Sequence, residues 1–147
     1  MKSPETALRN LLRGRLDGHE RQVRGFAEPE WRRWTDLLSG ALLVAVRRRF
    51  APGRDPAALI RFVASARERF DATGTEVDPT VAETLVRAAL GQCPDPPEDS
   101  ATLTARILLL LGLLEDEGLT PTELDDLLTQ AWTTAASHPP PPAAPPR

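Results

Sequence analysis

Between Leu37 and Val46 the chain reads LLSGALLVAV, a run with no polar side to turn toward water. At 3.6 residues per helical turn, Leu37, Leu38, Ala41, Leu42, Leu43, Val44, Ala45 and Val46 point in nearly every direction around the axis. A helix that is apolar all round must be enclosed by other elements. Ile107 to Leu114 has the same character. Neither run reaches the ~18–20 apolar residues that a membrane-spanning helix needs. Glu115, Asp116 and Glu117 also close the second run with charge. Both segments are therefore expected to be the most buried helices of a bundle.

The other periodic segments are apolar on one side only. Behind the start signal Ser3-Pro4-Glu5, residues Leu8, Leu11, Leu12, Leu16, His19, Val23 and Phe26 recur at three- and four-residue steps. Gly14, Gly18 and Gly25 weaken that helix, and a break or bend is expected near Gly18. Glu28-Pro29-Glu30 opens the segment that contains the central run, and Arg47, Arg48 and Arg49 close it with charges that suit the helix dipole. Asp55-Pro56 opens a third helix carrying Leu59, Phe62, Val63, Ala66 and Phe70. Asp78-Pro79 opens a fourth, with Gly91 as a left-handed cap. A fifth starts at Asp99 or Ser100 and ends at Gly118, and Thr120-Pro121-Thr122-Glu123 has the capping-box pattern of a sixth. No segment alternates with the strand period. The sequence thus predicts a single all-α domain, a bundle of about five or six helices over residues 1–136. A basic half, 1–70, and an acidic half, 71–136, make it up. The Pro/Ala-rich remainder, 137–147, is expected to be a disordered, extended and mobile tail.

One Cys and two His among 147 residues exclude a disulfide scaffold, a zinc ribbon and a zinc finger. Of the 18 basic residues only Lys2 is a lysine. Arg, Ala, Leu and Pro are favoured together, as GC-rich codons dictate, so a GC-rich bacterial source is expected and much of the Arg content carries no functional meaning. Met1 to Glu5 lacks the apolar segment of a secretory signal, and the lone Cys93 suits a reducing compartment, which makes a cytoplasmic location the expectation.

Charge is divided unevenly. Residues 1–70 hold fifteen basic against eight acidic residues, a net of +7, whereas 71–147 hold three against thirteen, a net of −10. Three arrangements would use this asymmetry. The halves can neutralise each other within one bundle. They can meet between chains, in a homo-oligomer or with a protein partner. Or the basic half can bind a polyanion. The acidic total, the near-absence of Lys and the interleaved acids count against nucleic acid.

Candidate chemistry is sparse. Phosphate-binding Gly loops, GxSxG, HExxH and CxxC are absent. Residues Ile107 to Leu128 resemble a helix-turn-helix only in outline, because the second helix presents Thr122, Glu123, Asp125 and Asp126, which DNA would repel. A plain antiparallel helical hairpin is the expectation there. His19 has carboxylate neighbours but no evident nucleophile and lies near the apolar stripe, as a partly buried structural His would. No catalytic residue, cofactor or metal site is assigned, and the chain is not expected to be an enzyme. The expected function is a non-catalytic protein–protein interaction or regulatory module. The alternative is a nucleic-acid-associated regulator that uses the basic half. Candidate contact residues are Trp31, Trp34 and Trp132, which supply large interface energies where they are not core, and Arg47, Arg48 and Arg49. The bundle makes a direct prediction: Leu110→Asp buries an unpaired carboxylate and abolishes the cooperative thermal transition, since that cost is several kcal/mol against a total stability of ~5–15.

Overall fold

The computed structural model describes residues 3–50, 56–71 and 73–137. They form seven helices and, among the described residues, no strand: α1 (Pro4–Leu12), α2 (Leu16–Val23), α3 (Glu28–Arg49), α4 (Pro56–Phe70), α5 (Pro79–Ala89), α6 (Ser100–Glu117) and α7 (Pro121–Ser137). No described helix is long and apolar enough to cross a membrane.

The first periodic segment is two helices, not one. Its break falls at Gly14, four residues before the expected Gly18. Gly14 has φ 75°, a left-handed conformation that a Cβ disfavours, and the Gly14 N–H is turned back onto the Leu11 carbonyl. Gly18 stays helical inside α2. The added helix accounts for the difference between six and seven. Several expected boundary signals are present. Ser3 accepts from the Thr6 amide, and Asp78 accepts from the Thr80 amide. Thr120 and Glu123 cap α7 reciprocally, and Gly118 ends α6 with φ 61°. Asp99 and Thr102 form a second capping box, Thr102 accepting from the Asp99 amide and Asp99 from the Thr102 amide, both at 2.9 Å. The expected cap at Asp55 and the Pro/Ala tail from His138 onward lie outside the described residues.

α3 is the axis of the bundle. It packs against α7, α6, α1 and α5, while α4 and α5 cover the remaining sides of α6. Leu37, Leu38, Ala41, Leu42, Ala45 and Val46 of α3 meet Leu109, Leu110 and Leu113 of α6 and Leu127 of α7 in one continuous buried cluster. α7 does not fold back along α6 as a hairpin. It turns away at Gly118 and runs along α3, because Leu124, Leu127, Leu128 and Ala131 find their apolar partner there.

The α3–α7 contact is close because Gly40 faces it. A methyl group added at Gly40 would stand 2.6 Å from the Ala131 carbonyl oxygen. The two helices run antiparallel: Arg48 near the end of α3 lies within electrostatic reach of Glu123 in the first turn of α7, and Gly40 is level with Ala131. Gly40→Ala should therefore push the helices apart and lower stability by about 1–3 kcal/mol, although Ala is the better helix former. The neighbouring Ser39→Ala, which removes a buried hydroxyl without a hydrogen-bond partner, should cost nothing. Thermal denaturation of the two variants separates the effects.

Candidate functional site

The antiparallel register leaves an open groove where the first turns of α3 run beside and past the end of α7. Glu28, Pro29, Arg32, Arg33, Asp36 and Leu37 of α3 line it with Trp132 of α7, around a volume of about 660 Å³. Pro29, Leu37 and the Trp132 ring supply apolar wall, and the charged side chains form the rim. Trp132 is 38% exposed.

Arg33 holds the Trp132 ring in place. Its guanidinium carbon lies 3.3 Å from the ring centroid, so one aromatic face is covered by a cation. The same guanidinium donates from Nε to Glu5 Oε1 at 2.7 Å, with Nη2 at 2.6 Å from that oxygen. Burial raises the Glu5 pKa, but its own backbone amide, Arg33 and Ser3 outweigh that and hold the carboxyl below its ordinary value. Arg33 thereby ties α1, α3 and α7 together at the groove. Asp36 shows the opposite shift: burial and the nearby charge of Glu98 raise its pKa, and Arg32 only partly offsets them.

The three Trp have different fates. Trp34 is 1% exposed and belongs to the core, so it is withdrawn as a partner contact. It lies three positions from Trp31, close to one helical turn, yet that small difference of direction turns it inward. Trp31 is 41% exposed but does not line the groove; it packs edge-on against Phe26 and Trp34, with centroids 5.2 and 5.8 Å away. His19 of α2 sits over Trp34 at 5.7 Å. Its Nε2 and the Trp34 Nε1 are both buried without a hydrogen-bond partner. His19 is thus a partly buried structural residue of an aromatic cluster on the opposite flank of α3.

Arg47, Arg48 and Arg49 do not converge on one point. Successive helical positions are rotated by about 100°. Arg47 Nε donates to the Ala89 carbonyl at 3.1 Å, Arg48 pairs with Glu117 at 3.5 Å, and Arg49 lies over the Phe50 ring. No phosphate clamp is assembled from them. The wider charge asymmetry is also partly satisfied within the chain. Arg9 and Arg13 reach Asp125 at 2.9 and 3.6 Å, and Arg69 reaches Glu115 and Asp116 at 2.8 and 2.9 Å.

Two polar groups escaped the sequence analysis. Asp71 is buried at the end of α4, where its carboxylate accepts from the amides of Gly74, Glu76 and Val77 at 3.0, 3.1 and 2.9 Å. Burial opposes its charge, but the Val77, Glu76 and Gly74 amides and the Thr73 hydroxyl hold the carboxyl below its usual range. It is the organiser of the α4–α5 connection. Arg106 is 5% exposed on α6, with Glu98 at 3.8 Å. Its place on the buried stripe between Thr102 and Leu109 was the available signal. Among the described residues, no group of three or more His, Cys, Asp or Glu is placed to hold a metal ion.

No family model matches the chain, and no curated protein or solved structure is significantly similar to it.

The aromatic cluster has a pH consequence. Burial lowers the His19 pKa below the ordinary 6.5, against a smaller opposing effect of Glu20. The unfolded chain then takes up the proton first. Stability is complete above the unfolded value and falls as the pH drops through the folded one. Between about pH 7 and about pH 5 the melting temperature should decline, and His19→Phe, which keeps a ring against Trp34, should flatten the decline.

Proposed function

We propose that the chain is a non-catalytic protein–protein interaction or regulatory module, and that the α3–α7 groove receives a segment of its protein partner. The supporting observation is Trp132, held by Arg33 at the edge of an apolar trough with a charged rim. Trp and Arg are the residues most enriched at energetic centres of interfaces, and an aromatic ring already fixed in place loses little freedom on binding. The dispersal of Arg47, Arg48 and Arg49 and the pairing of Arg9, Arg13 and Arg69 with acids of the second half weigh against a polyanion surface. A cytoplasmic bacterial setting accords with the composition.

Trp132→Ala should weaken partner capture more than tenfold, as loss of an anchor worth about 2 kcal/mol or more does. The melting temperature should change little, because the ring is partly exposed and its cation–π contact is worth only ~0.5–1 kcal/mol. Capture should persist in high salt, which screens charge but not apolar burial. Tight nucleic-acid binding at physiological salt, read by electrophoretic mobility and unaffected by Trp132→Ala, would overturn this function in favour of a nucleic-acid-associated regulator.

A further inference from the structure

The register that opens the groove also shows which end of α7 borders it. With Gly40 level with Ala131 and the helices antiparallel, Ser137 at the end of α7 is level with about Trp34. The six residues Glu28 to Arg33 therefore extend past α7, about 9 Å of helix at 1.5 Å per residue. The chain continues beyond Ser137 as HPPPPAAPPR, ten residues with six Pro, and Ser137 itself stands at the end of α7 that borders the trough. In polyproline II geometry, at ~3.1 Å per residue, about three residues span the exposed turns of α3, and the rest is more than long enough to return along Trp132. We propose that this segment, His138 to Arg147, occupies the groove of its own chain and competes with the partner that the proposed function assigns to it; the inference rests on that reading of the groove.

The chemistry of the two surfaces agrees. Pro139 to Pro142 have carbonyl acceptors and no N–H donors. The residues that line the groove carry donors, the Trp132 indole N–H and the Arg32 guanidinium. The groove carboxylates Glu28 and Asp36 lie beside Arg32 and need no donor from the tail. Proline rings pack on aromatic and apolar walls, and a polyproline segment is already extended, so ordering it costs little entropy. Attachment at Ser137 raises the local concentration of the segment to about the millimolar range, enough for a weak contact to be occupied.

The test uses the full chain. The indole N–H signal of Trp132, identified by its loss in Trp132→Phe, is followed by NMR in wild type and in a variant carrying Pro139→Ser, Pro140→Ser, Pro141→Ser and Pro142→Ser together. The two should differ. A synthetic peptide of residues 138–147 should return the variant signal toward the wild-type position, and should need at least about ten times the concentration to perturb wild type, whose groove is already filled. Identical Trp132 signals in wild type and variant overturn the inference, as does a peptide that shifts both alike. A wild-type position that depends on protein concentration also overturns it, because the occupant is then a second copy. None of these results decides partner capture by wild type and Trp132→Ala. A tail that stays out of the groove therefore leaves the proposed function standing, and a docked tail without a captured partner leaves the docking standing.

Discussion

Everything in this molecule is arranged around the need to cover α3. Its apolar residues face all directions, and no single neighbour can bury them. α7, α6, α1 and α5 each take one side. One of these contacts is close at Gly40, where the Ala131 carbonyl stands in the space a side chain would fill. That contact sets the separation and the level of α7 against α3. The groove is a by-product of it: α7 ends at Ser137, level with about Trp34, while α3 begins at Glu28.

Electrostatics adds orientation more than energy. The pairs from Arg9 and Arg13 to Asp125, from Arg48 to Glu117, and from Arg69 to Glu115 and Asp116 all join the basic first half to the acidic second half. Each is solvent-exposed to some degree, and such pairs contribute about 0–1 kcal/mol apiece. Their joint effect is to favour one placement of α1, α3 and α4 against α6 and α7 over others that would bring like charges together. Arg33 differs in kind. It pairs with Glu5 while covering one face of Trp132, so a single side chain links three helices at the groove.

Two buried polar residues among those described organise the connections between helices. Asp71 gathers amides that the sharp α4–α5 connection would otherwise leave unpaired. Thr102 completes the reciprocal cap of α6 and donates to the Pro97 carbonyl. His19 and Trp34 stand apart, since their ring nitrogens are buried without partners. α2, which buries no residue of its own, meets α3 through the contact between these two rings, and Phe26 in the connection that follows packs on Trp31 beside it.

The sequence by itself determined the all-helical class, the central positions of α3 and α6, and most helix ends, because these follow from local periodicity and from caps built by residues three or four apart. It misplaced the break between α1 and α2, since Gly14 and Gly18 carry the same intrinsic preference and only the packing of Leu8 and Leu11 against the core selects one. It showed the charge asymmetry but not its use, because pairs such as Arg9 with Asp125 join residues 116 positions apart. Trp31, Trp34 and Trp132 were visible as candidates, yet their side chains differ in fate for reasons no local pattern contains. Trp34 is buried under His19 of α2 on one flank of α3, whereas Trp132 is partly exposed on the other, where the close approach at Gly40 fixes the level at which α7 stops covering α3. Only the tertiary structure decides that level, and with it the groove, since it arises from two surfaces that meet across about ninety residues of intervening chain.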